Sequence, residues 1–463
     1  LAKIFMTAES SGQAEHSSQA EPYSQALSSI PPTLRSPGAL LFWAAVLFTG
    51  IGAGVAAAIL TKLLFAVQHA CWPGPHLLDA AQQKDATYHL IILLAAGALT
   101  GAGQVLVRRL AAGNSIDITE AISRFAGRLP ALRTLATATL SVVVVGMGAS
   151  LGREGAPKQA GAVIANALAD RTALTDEQRR LLVACGAGAG MAAAYGVPLG
   201  GALFAVEVLR GVLALRLILP ALLSSACAAG VAWLLAMPNE PTYPIPSYAL
   251  SASVICWSVV AGPIAGVFSV GFVRLIAWAD RNKPKGTGRL LAPLGALGVV
   301  GLLSIPFPQV LGNGRDIAAL AFTGQVAVPL LIALLVVRPL STLLCLGSGV
   351  PGGLFTPSLA TGALLGGVLG SAWSWMWPGV PPGLFAIIGA AAVLAATTHG
   401  PLSSIVLVME LTGRDRSFIL PMLIAVVTAT VVARTLDERS IYDARFTDRQ
   451  MQVMQKAREP SPQ

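Results

Sequence analysis

Three glycine-rich breaks, each preceding an apolar helix, are where this sequence is equipped to do chemistry. They are Gly113-Asn-Ser-Ile-Asp117, Gly152-Arg-Glu-Gly-Ala-Pro157 and Gly347-Ser-Gly-Val-Pro-Gly-Gly-Leu-Phe-Thr-Pro357. A helix that starts after such a break offers unpaired backbone N–H groups and the positive end of its dipole. Several such starts meeting at membrane depth form an anion site made of partial charges. A buried Lys or Arg would hold a small anion too tightly, whereas partial charges bind and release. Read singly, each break is also a plain helix start in which Gly and Pro serve packing.

Glu154 is the sharpest single residue. It sits at a helix start between glycines, in a chain with few acids inside its apolar stretches. An ionisable group at membrane depth is a functional candidate by default. A carboxylate is itself an anion, so it can fill the site the helix starts build, compete with a substrate there and carry a proton. Its structural alternative is a first-turn acid that stabilises the helix dipole by a few tenths to about 1 kcal/mol. Arg153 beside it reads as a partner or as a vestibule cation.

The elements that position these residues follow from composition. Of 463 residues, 31 are Lys or Arg and 22 are Asp or Glu, so 11% are charged and 54% are hydrophobic. Soluble domains carry about 25% charge. The chain is therefore no ordinary cytosolic enzyme, disordered protein or collagen-like or mucin-like protein, but an all-α polytopic membrane protein. The net charge of +9 comes from basic residues between the apolar stretches, not along one face. That is the positive-inside pattern, and no nucleic-acid partner is expected. The five cysteines (Cys71, Cys185, Cys227, Cys256 and Cys345) show no CxxC spacing, and there is no HExxH, Walker A loop or GxSxG. No metal site and no cofactor are expected. A membrane-embedded enzyme is a remote alternative, because it needs paired catalytic groups on facing spans, and His399 reads as the only interior histidine.

Apolar stretches recur at 38–67, 88–110, 131–151, 155–169, 177–195, 198–209, 213–237, 251–279, 288–304, 317–347, 353–377, 383–398, 400–412 and 417–436. Several fall short of the ~20 residues of a full span. Such half-spans must end inside protein, and the 48 Gly and 30 Pro residues suit broken, closely packed helices. Residues 1–37 read as a disordered cytosolic tail, with Met6 as a candidate true start. The segment 238–250 carries no Lys or Arg, whereas 280–289 carries Arg281, Lys283, Lys285 and Arg289. Both termini are thus expected on the cytoplasmic side of a cell inner (plasma) membrane. Pro198, Leu199 and Glu207 match Pro401, Leu402 and Glu410 at an offset of 203, and the break at Gly152 echoes that at Gly352 at an offset of 200. This predicts an inverted duplication: a first half over 38–237, an extracytoplasmic linker over 238–250, a second half over 251–436 and a short cytosolic segment over 437–463. Lys62, Arg274 and Arg338 lie near span ends and are expected to snorkel.

GREGxP before one helix, GGLFTP before another and PLxxxxFxxE in the first half resemble the CLC chloride channel and chloride–proton antiporter family, over roughly residues 38–450. The resemblance implies a homodimer in the lipid bilayer with one anion pathway per subunit, each subunit made of two inverted halves of tilted and broken helices. It makes Glu154 the gating glutamate. Leu354 and Phe355 match residues whose backbone amides line a central anion site, and Tyr442, in Ser440-Ile-Tyr-Asp, matches an inner-gate tyrosine. Asn114, Ser115, Arg153 and Gly155 complete the anion-binding set.

Two departures from the family pattern matter. GSGxP is replaced by Gly113-Asn-Ser-Ile-Asp117. The Asn114 amide is a donor, but it is bulkier than serine, and the alternative is that Asn114, Ser115 and Asp117 only cap a helix. Proton-coupled members carry two glutamates at the end of PLxxxxFxxE, and here the pair is Glu207 and Val208. Valine carries no proton, so coupling by the usual route is doubtful. A relay through water or Glu207 is the remaining route for protons, although Glu207 and Glu410 also read as structural. The segment 437–463 is too short for the paired nucleotide-sensing domains of some members. The expectation is a chloride transporter or channel gated by Glu154, with a fluoride exporter of the same family as the alternative.

Overall fold

In the computed structural model, which describes residues 38–111, 116–237, 240–413, 418–444, 446 and 451, seventeen α-helices follow one another with little chain between them. The first half runs α1 (Ala39–Cys71), α2 (Leu77–Gln82), α3 (Ala86–Leu110), α4 (Ile118–Arg124), α5 (Ala131–Gly146), α6 (Gly155–Arg171), α7 (Asp176–Tyr195), α8 (Pro198–Leu203, continued by a π-helical stretch, Phe204–Arg210) and α9 (Leu215–Leu234). The second runs α10 (Ala252–Arg281), α11 (Gly288–Ser304), α12 (Arg315–Thr323), α13 (Val328–Ser348), α14 (Phe355–Met376), α15 (Pro382–Thr398), α16 (Pro401–Thr412) and α17 (Ile419–Leu436). With α2 set aside, the two orders correspond element by element, as the motif offsets predict.

Six helices, α1, α3, α9, α10, α13 and α17, are long and apolar enough to cross a membrane. They expose large apolar side chains such as Ile59, Leu106, Val260, Val336 and Val431, which water would not tolerate and lipid does. Inside them lie α6, α7, α14 and α15. Every residue of α15 from Gly383 to Thr398 is buried. These inner helices approach through glycine. A Cβ on Gly161 of α6 would stand 2.0 Å from the Gly186 carbonyl oxygen of α7, and one on Gly389 of α15 would stand 2.5 Å from the Gly366 Cα of α14. Lipid tails are as apolar as leucine, so close backbone contact takes the place of the hydrophobic effect in holding such helices together.

Local signals set the helix ends. Thr175 and Gln178 form a capping box at the start of α7. Pro198 and Pro401 occupy the first turns of α8 and α16, where a missing N–H costs nothing. Asp117 caps α4 by accepting from the Thr119 amide at 2.9 Å.

Several expectations need correction. The stretch 317–347 is two helices, α12 and α13, separated at Gly324, whose φ of +69° ends α12. Helix α2 lies outside the expected apolar stretches, whereas α4 starts directly after Asp117, the end of the first glycine-rich break. Arg338 does not snorkel. It is fully buried and donates to the carbonyls of Val310 (2.6 Å) and Gly312 (3.0 Å), pinning the turn before α12. Lys62 and Arg274 are exposed, and Arg274 pairs with Asp437 at 3.0 Å. His399 is not the only interior histidine, because His89 is buried with Ser304 Oγ at 2.8 Å and the Ala81 carbonyl at 2.9 Å.

The glycine crossings give a direct test. Gly161→Val or Gly389→Val is expected to destabilise the folded protein by about 1–3 kcal/mol or more, read as a lower thermal midpoint in detergent. Gly295→Val, where nothing lies within 4 Å of the added Cβ, should leave the midpoint nearly unchanged.

Candidate functional site

The breaks before α6 and α14 are tied to each other. Gly152 and Gly353 exchange both backbone hydrogen bonds, each 2.8 Å, in a two-residue antiparallel bridge. This brings the N-terminal ends of two helices from opposite halves to one point in the protein interior. Glu154, immediately before α6, reaches across the bridge to the start of α14. Its Oε1 accepts from the Phe355 amide at 2.7 Å, and its Oε2 accepts from the Thr356 hydroxyl at 3.0 Å. The Tyr195 hydroxyl, at the last residue of α7, lies 3.3 Å from Oε2 and 2.8 Å from Thr356 Oγ1.

Glycine is required around this carboxylate. A Cβ on Gly152 would lie 2.2 Å from both carboxylate oxygens, and one on Gly353 would lie 2.0 Å from Oε1. The two glycines thus form a cradle that Glu154 fills, with no part of the residue exposed. The donors it uses, an amide at a helix N-terminus and two hydroxyls, are those a small anion would use. A carboxylate withdrawn from the cradle would leave them to such an anion.

The other expected residues are distributed around this point. Gly155, Leu354 and Tyr442 line one wide cavity of about 490 Å³, and Arg153 lines a separate small one of about 80 Å³. Arg153 is buried, with its guanidinium 4.7 Å from the Tyr195 ring and 5.6 Å from the Phe65 ring. Tyr442 is buried edge-on against Phe204, with ring centroids 5.9 Å apart. Asn114 and Ser115 lie outside the described residues. Sequence reasoning missed Tyr195, Thr356 and Lys158. Lys158 is buried, with Nζ 4.9 Å from the centre of the Phe204 ring and 5.2 Å from that of Tyr442. A signal for it existed: Lys158 stands four residues after Glu154, hence on the same side of a helix.

Glu207 is not part of the Glu154 cluster. Its carboxylate accepts from the amides of Leu402 (3.1 Å) and Ser403 (2.6 Å), and from the Ser403 hydroxyl (2.6 Å), at the start of α16. Glu410 returns the contact, accepting from the amides of Leu199 (3.0 Å) and Gly200 (2.7 Å) at the start of α8. Pro198 and Pro401 leave the second and third residues of each helix as the first free donors, and each glutamate takes those two. Val208 is buried, with its Cγ2 2.6 Å from where a Cβ on Gly400 would stand.

The family model described as voltage gated chloride channel matches residues 96–434. The chain belongs to the CLC family. That family consists of channels and transporters, not enzymes. Among relatives, the "H(+)/Cl(-) exchange transporter ClcA" of Vibrio parahaemolyticus is 35% identical over 313 residues, 64% of this chain and 66% of the relative, so the chain spans just under two thirds of that relative's length. A protein of the same name from Vibrio campbellii is 33% identical, over 76% of this chain and 78% of its own. The "Voltage-gated ClC-type chloride channel ClcB" of Citrobacter koseri is 36% identical, over 67% of this chain and 75% of its own. Two solved structures share the CLC fold. A slow cyanobacterial Cl−/H+ antiporter superposes with a TM-score of 0.75 at 24% identity, covering 90% of this chain and 98% of its own. A CLC-type fluoride/proton antiporter gives 0.71 at 22% identity, covering 89% and 100%. The chain is therefore a multi-pass membrane protein of this family.

Two outcomes follow from the geometry. Glu207→Ala and Glu410→Ala should each destabilise the protein by about 1–3 kcal/mol in thermal unfolding, with the double variant losing less than the sum because the two caps hold one helix crossing. Gly353→Ala should expel the Glu154 carboxylate from its cradle, visible in a crystal structure as a rotated side chain.

Proposed function

We propose that this protein carries chloride across the membrane through a pathway in each subunit, and that Glu154 opens and closes that pathway. The observation carrying this reading is the Glu154 carboxylate held by the Phe355 amide and the Thr356 hydroxyl at the start of α14. In that position the carboxylate mimics the transported ion and excludes it. Protonation, or competition by an incoming anion, removes what holds it, and the freed donors pass to chloride. Leu354, Phe355 and Gly155 then present helix-start amides to the ion. Arg153 stands at one approach, and Tyr442 narrows the other. Asn114 and Ser115 are assigned to the same ion by motif.

Stoichiometric proton exchange is not part of the reading. The second glutamate of the family's proton route is Val208 here, and Glu207 is committed to the amides of α16. We assign Glu207 and Glu410 to holding the helix crossing. The working unit is a homodimer in a cell inner membrane, both termini cytoplasmic. Exposed Leu199 and Leu402, near the crossing of α8 with α16, suit the dimer contact.

Purified protein in liposomes supplies the test. Chloride and fluoride efflux are measured side by side. Glu154→Gln replaces charge-assisted hydrogen bonds by neutral ones, worth about 1.5–3 kcal/mol, and should speed chloride efflux at neutral pH by about tenfold or more. Passage of neither ion would end the proposal, and fluoride efflux far above chloride would reassign the substrate. Under opposed chloride and pH gradients, the reversal potential should follow chloride alone. A shift with pH would restore proton exchange despite Val208.

A further inference from the structure

Lys158 is a full positive charge where the helix-start logic of the pathway needs none. It lies on α6, one turn beyond Glu154, and its side chain is 5% exposed. Burying an ammonium group costs several kcal/mol unless the site answers its charge. Aromatic faces contribute to that answer, for Nζ lies 4.9 Å from the Phe204 ring centre and 5.2 Å from that of Tyr442. Those two rings meet edge to face at 82°, so they form a corner that fixes the ammonium direction. Lys158, Tyr442, Leu354 and Gly155 all line the same 490 Å³ cavity.

The approach to Lys158 is polarised. Arg108, Arg133 and Arg289 line the same cavity, and all three are more exposed than Lys158. Among the acids of that wall, Asp117 caps α4, Glu120 pairs with Arg124, and Asp280 pairs with Lys283. Positive groups thus run from the cavity's exposed lining to its buried end, which concentrates anions toward that end. Lys158 shares the cavity wall with Leu354, whose neighbour Phe355 donates its amide to Glu154.

We infer that the Lys158 ammonium is a direct ligand of the transported anion, holding it by a charge-assisted hydrogen bond at the end of the wide cavity next to Tyr442. The inference rests on the anion-transport reading above and adds to it a charged residue. It predicts tighter anion binding than amides and hydroxyls alone provide, and release of the ion as the slow event.

Chloride binding to the full-length protein in detergent, measured by calorimetry, tests this. Lys158→Met should weaken chloride binding by about tenfold or more, while Lys158→Arg should stay within about threefold of the parent. In liposomes the chloride concentration for half-maximal flux should shift by the same factors. A bromide-soaked crystal of the unmodified protein should place an anomalous peak within hydrogen-bond distance of Lys158 Nζ, a readout that does not depend on any variant folding. Unchanged binding by a folded Lys158→Met variant, or bromide seated only away from Lys158, would overturn the inference while leaving transport intact. If the unmodified protein neither binds nor passes chloride, the transport reading itself falls, and this inference with it.

Discussion

A helix that begins at membrane depth leaves its first N–H groups without partners, and hydrocarbon supplies none. Much of this structure can be understood as the answer to that constraint. Three glutamates in the membrane region each end on the start of a helix from the opposite half: Glu154 on α14, Glu207 on α16 and Glu410 on α8. The half-spans therefore cannot be completed one half at a time. Each half supplies acceptors for the other, and the Gly152–Gly353 bridge fixes the distance at which it does so.

The three contacts are not equivalent. Glu207 and Glu410 form a mutual exchange, so losing either one leaves the first amides of the opposite helix bare. That suits a permanent joint. Glu154 has no such counterpart, because the position matching it at the 200-residue offset is Leu354. Its carboxylate can leave without breaking a reciprocal bond, and the donors it vacates line a cradle shaped by two glycines. Symmetry thus separates the structural acids from the one suited to move.

The charge economy of the chain has the same origin. Charge is scarce because most of the surface faces lipid, and the exceptions inside are specific. Arg338 spends its charge on two backbone carbonyls of a turn, and Arg153 lies against aromatic rings. Lys158 also lies between rings, but on the wall of a cavity. A site built only of partial charges favours fast release, whereas one that adds a buried ammonium favours occupancy.

The sequence by itself determined the membrane class, the two-fold repeat, the broken helices and the placement of Glu154 at a helix start, because hydropathy, motif offsets and Gly/Pro placement are local properties of the chain. It also held the information that Glu207 is followed by valine. Only the tertiary structure decided which donors Glu154 uses, since Phe355 and Thr356 lie some two hundred residues away and are brought near by a bridge no periodicity reveals. The same holds for Tyr195, an ordinary helix-end residue until the fold brings the end of α7 to the start of α14. Arg338 read as a snorkelling side chain because its distance from a span end is visible in sequence, while the carbonyls of Val310 and Gly312 that capture it are not. Lys158 was passed over for a related reason: four-residue spacing gives the helix face, but only the packing of Phe204 and Tyr442 shows that this face lines a cavity. Local chemistry is written along the chain, whereas the partners of a buried charge are set by chain segments that meet only in three dimensions.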